Sequence, residues 1–351
     1  MQFEPENIKR ILVINLGGIG DLLISTPALR ALKEHFSGSK LYLLVSGRAS
    51  EAARDLAYVD KVFVFEVKHP WENLFSNLNN LFELRRLRVD LAVNMRTLVS
   101  GSSAGKMKFI LKLINPGVKA GRDTSGRGGF FDVKIPEEDI GDKYEMEYDL
   151  EIARVLGAEI TSKEIDFTFD EESLKQVDKF LDDNGVGHSD ILVGIHPGGK
   201  PSHRWPADNF VEMIKLLHSV PNRKFVITGS KDEAMLAQSI IDKSGVSILN
   251  LAGKLSVRGL AALLKRCSAY ITNDTGSMHI AAIAGSPLVA IFGPGYYKRY
   301  DPRNISGKAV VFYKKQECAP CNKFDCASLK CLSVISAQEV VDAVEVLLTA
   351  A

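Results

Sequence analysis

Residues 269–295, AYITNDTGSMHIAAIAGSPLVAIFGPG, decide the fold. The apolar run at 269–272 predicts a buried strand, and a second apolar run at 288–292 predicts the next one. Between them, a small polar turn at 273–276 leads into a helix predicted at 277–284. A strand, a loop, a helix and a second strand in this order are the repeating unit of open α/β sheets. Such sheets bind ligands at the carboxyl ends of their strands.

The start of this helix is a candidate anion site. Its first turn offers backbone N–H groups and the positive end of the helix dipole. Thr275, Gly276 and Ser277 are small, so a phosphate could come close to the backbone. Alternatively, Asp274 or Thr275 is an ordinary N-cap residue, a role that an anion site does not exclude. His279, in the same helix, could equally be a core histidine.

Length and composition limit the class of protein. A chain of 351 residues is long for a single hydrophobic core, so we expect two domains. A net charge of +1 argues against a dedicated nucleic-acid-binding protein. The sequence has no run of about 18 apolar residues and no signal-peptide pattern at its N-terminus. We therefore expect a cytoplasmic protein whose five cysteines are reduced.

Strands and helices alternate along the chain, which predicts parallel, doubly wound sheets. Strands of a first sheet are predicted at 10–16, 41–45, 62–65 and 91–94. Strands of a second sheet are predicted at 191–195, 224–228, 248–251, 269–272 and 288–292, the last being the final core strand. Helices are predicted at 22–36, 71–88, 144–156, 208–219, 257–267, 277–284 and 339–349. An acidic, polar stretch at 162–189 separates the two series, so we place the domains at 1–170 and 171–351.

A glycine-rich loop follows the first strand. Gly17, Gly18 and Gly20 precede Asp21 at the start of a helix. The spacing is close to a dinucleotide-binding fingerprint, but Leu23 stands where a third glycine or alanine is required. The second strand also lacks the acid that would bind a ribose, so a nicotinamide dehydrogenase is disfavoured. The loop still brings backbone close to a ligand, and Asp21 either faces that ligand or complements the helix dipole.

A second glycine-rich loop, HPGGKPSHRW at 196–205, follows the strand that opens the second series. Lys200, His203 and Arg204 lie close together in it, and arginine suits bidentate contact with phosphate. A solvated basic loop is the alternative. Glu233 follows another strand-to-loop turn and could hold a pair of ribose hydroxyls.

A basic stretch at 106–127 contains six basic residues, including Lys106 and Arg122, against one acid. Such a stretch favours contact with phosphates or anionic lipid head groups, and a solvated loop is the alternative.

Cys318, Cys321, Cys326 and Cys331 form the pattern C-x2-C-x4-C-x4-C. Four thiolates at this spacing could hold a structural zinc ion or a cluster. Two disulfides are a further alternative, but reduced thiols are the expected state in a cytoplasmic protein. A closed four-thiolate shell would leave no position for substrate. We therefore expect the segment at most to fix an irregular loop over 295–332.

Six stretches spread over nearly the whole chain resemble the ADP-heptose:lipopolysaccharide heptosyltransferases, a family of bacterial glycosyltransferases. The stretches are ILVINLGGIGDLLISTPALRALK (11–33), DLAVNMRT (90–97), GIHPGGKPSHRWPADNF (194–210), VITGSKDEA (226–234), NLAGKLS (250–256) and ITNDTGSMHIAAIAGSPLVAIFGP (271–294). The resemblance implies the α/β GT-B architecture, in which two Rossmann-like, doubly wound domains face a central cleft. The N-terminal domain would bind the acceptor and the C-terminal domain the nucleotide sugar, with the last helix crossing back to the N-terminal domain.

The resemblance also implies roles for individual residues. Asp21 falls on the family's proposed catalytic base, and His203 on its usual lysine, so the diphosphate contact is open among Lys200, His203 and Arg204. The expected donor-binding residues are Gly198, Lys200, His203, Arg204, Glu233, Asp274, Thr275, Gly276, Ser277 and His279. The expected acceptor-binding residues are Gly17, Gly18, Gly20, Arg96, Lys106 and Arg122.

The residues and the resemblance together predict an inverting glycosyltransferase. It would move a heptose or similar sugar from an ADP-sugar to a lipopolysaccharide inner-core acceptor, an anionic lipid-linked oligosaccharide, with no metal or other cofactor. We expect a cytoplasmic enzyme that contacts the inner face of the cytoplasmic membrane peripherally and binds no nucleic acid. A sugar-nucleotide epimerase or hydrolase on the same fold, and a non-catalytic sugar-nucleotide-binding module, are the alternatives.

Overall fold

The computed structural model describes residues 5–67, 71–321 and 323–349, except for the side chain of Pro5. The chain forms two compact units, called here unit 1 (Met1–Phe167) and unit 2 (Thr168–Ala351). The domain boundary predicted after residue 170 lies three residues from this division.

Unit 1 contains a parallel six-stranded sheet in the order β3-β2-β1-β4-β5-β6. Its strands are β1 (Arg10–Asn15), β2 (Lys40–Val45), β3 (Lys61–Val64), β4 (Leu91–Asn94), β5 (Val118–Thr124) and β6 (Val133–Glu137). Its helices are α1 (Ile19–His35), α2 (Ser50–Arg54), α3 (Leu74–Arg86), α4 (Gly101–Ile114) and α5 (Glu145–Val155).

Strand β1 lies at the centre of unit 1. Five of its six residues are buried, as expected for a parallel strand covered on both faces. Val13 of β1 pairs with Leu43 of β2 on one side and with Val93 of β4 on the other. The chain reverses its direction of travel across the sheet between β1 and β4. The loops after these two strands therefore lie at the switch point, where doubly wound sheets bind ligands.

Unit 2 contains a second parallel six-stranded sheet, in the order β12-β11-β10-β7-β8-β9. Its strands are β7 (Ile191–His196), β8 (Arg223–Ile227), β9 (Ile248–Asn250), β10 (Ala269–Asn273), β11 (Leu288–Phe292) and β12 (Ala309–Tyr313). Its helices are α6 (Glu171–Asp183), α7 (Ala207–His218), α8 (Ala234–Ser244), α9 (Val257–Arg266), α10 (Gly276–Ala284), α11 (Tyr297–Tyr300), α12 (Lys330–Ser333) and α13 (Ala337–Thr349). The strand order repeats the topology of unit 1, with the switch point between β7 and β10.

All nine strands predicted from the apolar runs are present, each within one residue of its predicted bounds. Three further strands were missed. The prediction that 288–292 is the final core strand is wrong, because β12 pairs with β11, with Val310 opposite Val289. The prediction of an irregular loop over 295–332 is wrong for the same reason, since α11, β12 and α12 lie in it. The basic stretch at 106–127 is divided between α4 and β5.

The last helix, α13, packs on α7 and β11 within unit 2. The contact with the N-terminal domain that the resemblance implies for this helix stays a prediction.

Candidate active site

The switch point of unit 1 brings Asp21 and Arg96 together. The Asp21 Oδ2 atom accepts a hydrogen bond from the backbone N–H of Gly18 at 2.7 Å, which caps the start of α1. Its Oδ1 atom forms an ion pair with the guanidinium of Arg96, which follows β4. The Asp21 side chain is 17% exposed, so a ligand can reach it. This bond places the acid at the helix start, as the helix-dipole alternative requires, and leaves the second carboxylate oxygen directed at Arg96.

The glycine loop lies against this carboxylate. A Cβ atom at Gly17 would lie 2.5 Å from the Asp21 Oδ2 atom, so no larger residue fits without moving the acid. The backbone N–H of Gly17 is held by the Oδ1 atom of Asn15 at 3.1 Å. The loop is thereby fixed at both ends.

Arg122 lies behind this pair and not at the surface. Its side chain has no accessible surface. Its Nη1 atom donates to the Oε1 atom of Glu145 at 3.0 Å, and its Nη2 atom donates to Asp149. The Glu145 Oε1 atom also lies 3.5 Å from the Arg96 Nη1 atom. The expectation that Arg122 contacts the acceptor is therefore corrected, because burial leaves the acceptor no direct access to it.

Asp149 extends the same buried network toward α1. Burial raises the pKa of its carboxyl well above the usual value, even though the charge of Arg122 lowers it. The hydroxyl of Ser25 lies 2.6 Å from its Oδ2 atom, and the side-chain amide of Asn15 donates to that hydroxyl at 2.9 Å. Glu145, Asp149, Ser25 and Asn15 were all missed as site residues from the sequence. The spacing of the two acids, four residues apart on one helix, was the available signal.

Lys106 is exposed on α4. Lys108 on the same helix and Arg127 line an open groove of about 390 Å³ between α4 and the loop after β5. The Arg127 Nε atom donates to the carbonyl of Leu98 at 2.6 Å, which orients the guanidinium in the groove wall.

In unit 2, Asn273 holds the second glycine loop at the switch point. Its side chain is fully buried at the end of β10. The Nδ2 atom donates to the carbonyls of Pro197 and Gly198 at 3.0 and 2.9 Å, and the Oδ1 atom accepts from the N–H of Trp205 at 3.0 Å. The sequence analysis missed this residue, although a polar side chain at the end of a buried strand is a usable signal.

Glu233 links the second glycine loop to the loop after β8 by hydrogen bonds. Its two carboxylate oxygens accept the backbone N–H groups of Gly199 at 2.6 Å and Ser230 at 2.7 Å. Burial alone would raise the pKa of Glu233, but nearby His196 and these two N–H groups outweigh it and hold the pKa below its usual value. Gly199 has φ +115°, and a Cβ there would lie 2.7 Å from the Thr275 side chain. Glycine is therefore required at this turn.

The three candidate phosphate-binding side chains differ in charge and exposure. Lys200 is exposed, and the Arg204 Nε atom donates to the carbonyl of Gly199 at 2.8 Å. His203 is 3% exposed, and burial together with the charge of Lys200 lowers its pKa to about 4. His203 is therefore neutral near pH 7, and its Nε2 atom lies 3.9 Å from the Asp274 Oδ2 atom. The positive charge of this loop comes from Lys200 and Arg204.

Helix α10 begins next to this loop with small hydroxyl side chains. Thr275 is its N-cap residue, but within the described chain its side chain makes no capping hydrogen bond to the helix. Instead the hydroxyl of Ser277 lies 2.8 Å from that of Thr275 and 3.1 Å from that of Thr272. His279 is 4% exposed, with its ring edge-on to Tyr300, which fits the core-histidine alternative.

The sequence profile of glycosyltransferase family 9 (heptosyltransferase) matches residues 82–332, more than two thirds of the chain. The chain belongs to this family.

Individual relatives extend the similarity to nearly the full length. The lipooligosaccharide heptosyltransferase 2 of Campylobacter jejuni is 25% identical over 341 residues, covering 94% of this chain and 96% of its own. A family 9 glycosyltransferase from Veillonella parvula has a TM-score of 0.75 at 24% identity, covering 98% of both chains. The ADP-heptose lipopolysaccharide heptosyltransferase II of Escherichia coli has a TM-score of 0.72 at 20% identity, covering 97% of this chain and 99% of its own.

These matches confirm three predictions: the resemblance, the α/β class with two Rossmann-like units, and the assignment as a glycosyltransferase. Among the residues that the structure describes, no helix is long and apolar enough to cross a membrane.

The cysteine segment of this family 9 chain lies next to α12. All five cysteines are free, and Cys331 is buried while Cys318 is exposed. Burial raises the pKa of the Cys331 thiol, and the three neighbouring thiols raise it further. Within the described ranges, no group of three or more His, Cys, Asp or Glu side chains is arranged to hold a metal ion.

Proposed function

We propose that this family 9 glycosyltransferase moves a heptose, or a similar sugar, from an ADP-linked donor to a lipopolysaccharide inner-core acceptor. The names of its relatives support both substrates, since they are lipooligosaccharide and ADP-heptose lipopolysaccharide heptosyltransferases. The observation that carries the proposal is chemical: the switch point of unit 1 presents a carboxylate, and that of unit 2 presents cations and a helix start. A proton acceptor and a diphosphate site are the two groups that sugar transfer from a nucleoside diphosphate needs.

Unit 2 supplies the donor site in this proposal. The start of α10 and the guanidinium of Arg204 contact the diphosphate, with Lys200 as the exposed second cation. Neutral His203 adds no charge at the position of the family's usual lysine, which favours Arg204 and Lys200 for the diphosphate contact. Glu233 holds the loop in shape and contacts the ribose. The remaining expected donor residues Gly198, Asp274 and Gly276 shape the pocket around the nucleotide, whereas buried His279 is given no contact with it.

Unit 1 supplies the base and the acceptor contacts. The Asp21 carboxylate takes the proton from an acceptor hydroxyl while the hydroxyl oxygen forms a bond to the anomeric carbon. The bond from that carbon to the diphosphate oxygen breaks, and ADP leaves with the electron pair. Positive charge at the diphosphate stabilises the charge that develops there. One displacement at the anomeric carbon inverts its configuration.

Arg96 is the acceptor contact closest to the base. Because its guanidinium pairs with Asp21 and lies 3.5 Å from Glu145, it is positioned to orient an anionic acceptor beside the carboxylate. The glycine loop at 17–20 leaves room for the acceptor, and Lys106 adds a more distant positive charge.

A mass-spectrometric assay tests the proposal. The full-length protein is incubated with ADP-heptose and an inner-core acceptor, and the product anomer is assigned by NMR. We expect an acceptor heavier by one heptose, with inverted configuration. Free or epimerised heptose would indicate the hydrolase or epimerase alternative, and ADP-sugar binding without turnover would indicate a binding module. Asp21→Asn should lose this turnover, and Asp55→Asn, at a residue to which the proposal gives no role, is its control.

A further inference from the structure

Unit 1 exposes large aromatic side chains on two neighbouring helices. Trp71, in the turn before α3, is 84% exposed, and Phe75 in the first turn of α3 is 83% exposed. Phe82, seven residues after Phe75 and on the same side of α3, is 46% exposed. Phe109 on α4 is 56% exposed. Burying such side chains is strongly favourable, so four exposed aromatic residues in one region mark an interaction surface.

Packing inside unit 1 does not explain these positions. The inner side of α3, with Leu81 and Leu84, and that of α4, with Ile110, pack into the same apolar cluster on the sheet. The two helices lie side by side, since the Arg85 Nη1 atom donates to the carbonyl of Leu113 at 3.0 Å. The aromatic residues occupy the opposite sides of these helices. They therefore form one outward surface, called here the aromatic face (Trp71, Phe75, Phe82 and Phe109).

The charge around the aromatic face is mostly positive. Lys106, Lys108 and Lys112 are exposed on α4 and flank Phe109 within one turn on either side. Arg86 is exposed at the end of α3, whereas the carboxylate of Glu83 is paired with Lys61. The two nearest acids on the same elements are thus Glu83 and the exposed Glu72 beside Trp71. The positive charge exceeds the negative charge on both helices.

We propose that the aromatic face and its lysines dock unit 1 on the surface of an anionic lipid bilayer. Tryptophan and phenylalanine insert at the boundary between head groups and acyl chains, and lysines around them pair with anionic head groups. The groove lined by Lys108 and Arg127 lies on the same helix and has room for a head-group phosphate. This inference does not depend on which sugar the enzyme transfers.

A second copy of the chain fits this surface less well. In a two-fold dimer the same patch meets itself, so the lysine-rich surfaces of the two copies would be brought together. Like charges brought together in this way oppose association, whereas an anionic bilayer attracts them. Charge complementarity therefore selects the lipid surface.

Vesicle co-sedimentation of the full-length protein tests the proposal. Vesicles of phosphatidylethanolamine with phosphatidylglycerol are compared with vesicles of phosphatidylcholine alone. We expect binding to the anionic vesicles that weakens as salt is added. The double variant Trp71→Ser with Phe75→Ser should lower the partition coefficient at least tenfold. Lys108→Gln with Lys112→Gln should lower it by about 25-fold, because each lysine near an anionic surface is worth about fivefold.

Two matched controls distinguish binding through this surface from nonspecific adsorption to vesicles. Met235→Ser removes a side chain that is 87% exposed on α8 of unit 2 and should leave partitioning unchanged. Lys175→Gln with Lys179→Gln, at exposed positions of α6, removes the same charge elsewhere. Because Trp205 is 1% exposed, a blue shift of tryptophan emission on vesicle binding reports Trp71.

Three results would overturn the proposal. The first is a wild-type protein that does not bind anionic vesicles, and the second is binding that both double variants retain. The third is a dimer in light scattering that Trp71→Ser with Phe75→Ser abolishes, which would assign the surface to self-association. Transfer to an acceptor stripped of its acyl chains should be unchanged in this aromatic variant. A protein that does not bind vesicles could therefore still catalyse the proposed transfer. Equally, a protein that does not catalyse the transfer could still bind vesicles.

Discussion

Replacing Arg122 by methionine tests the buried ion network behind Asp21. The Arg122 guanidinium bonds Glu145 and Asp149 and lies 3.6 Å from the Glu137 Oε1 atom. All three carboxylates are at most 1% exposed. Methionine keeps much of the arginine volume but removes the charge that the three acids share.

The expected loss of stability is large. Removing one partner of a buried ion pair costs about 3–5 kcal/mol, because a buried charge is left without compensation. The variant also loses the hydrogen bond from Arg122 to the Thr97 hydroxyl and the contact of the guanidinium with the Tyr148 ring, 5.0 Å from its centroid. We therefore expect unit 1 to lose about 4 kcal/mol, a large part of the about 5–15 kcal/mol that stabilises a typical domain. Lys119→Met is the control. Lys119 lies on the same strand as Arg122 and forms a partly exposed ion pair with Asp132, so this substitution should lower stability by less than about 1 kcal/mol.

The loss should depend on pH with a definite sign. The pKa of Asp149 is already raised by burial, and removing Arg122 raises it further, because that charge lowers it. At pH values between the unfolded pKa of about 4 and the raised folded pKa, the folded state then binds more protons than the unfolded state. Stability must fall as the pH rises through this window. The destabilisation by Arg122→Met should therefore be smaller at pH 5 than at pH 8.

Amide hydrogen exchange measured by mass spectrometry on peptides from β5 is the appropriate assay. Tryptophan fluorescence would mislead, because the buried Trp205 lies in unit 2 and the exposed Trp71 responds little to unfolding. Exchange resolves the opening free energy of unit 1 by itself. A loss below about 1 kcal/mol at pH 8, or an equal loss at both pH values, would refute the account of Arg122 as the charge partner of the three buried carboxyl groups.

Three further predictions concern the proposed reaction. Asp21→Asn keeps an oxygen to cap α1 but cannot accept a proton, so turnover should fall about 10²–10⁴-fold with little change in ADP affinity; a near wild-type rate would leave Asp21 a helix cap only. Gly276→Val should weaken ADP binding by about 2 kcal/mol in calorimetry, and Gly307→Val, where a Cβ meets open space, is the control. Unchanged affinity in a folded Gly276→Val protein would remove the start of α10 as the diphosphate site. The ring of His203 should stay neutral in an NMR titration down to a pKa of about 4, and titration near 6.5 would contradict its burial.

Apolar runs were sufficient to predict the central strands, because parallel strands covered on both faces are continuously hydrophobic. β4 and β11 were predicted with their observed bounds. β5 was not predicted because its sequence, VKAGRDT, carries three charged residues. β6 was not predicted because its sequence, VKIPE, contains a proline and two charged residues. β12, AVVFY, is an apolar run that could have been recognised, but it is a half-buried edge strand after a long connection.

The candidate site was predictable only where the loop chemistry is local. Asp21 is contiguous in sequence with its glycine loop, and the residues of the loop at 196–205 are contiguous with one another. In each case the position of one strand end is enough to place the residues together. Arg122 was misassigned because an arginine is almost always exposed unless it is paired. Its partners Glu145 and Asp149 lie on α5. Their spacing places both acids on one face of that helix, but nothing in the sequence pairs this face with an arginine on a strand that far back in the chain.

Asparagine ends three of the strands that meet at the two switch points, and these side chains hold the loops that follow the strands. Asn15 ends β1, and Asn94 ends β4 with its amide donating to the Arg96 carbonyl at 2.7 Å. Asn273 ends β10 and holds the carbonyls of Pro197 and Gly198. An amide side chain both donates and accepts, so it can satisfy the backbone groups of a loop where the strand ladder stops, whereas a buried aspartate could only accept. In the proposed reaction, loops fixed in this way keep Asp21 and the proposed phosphate-binding backbone oriented, as electrostatic catalysis requires.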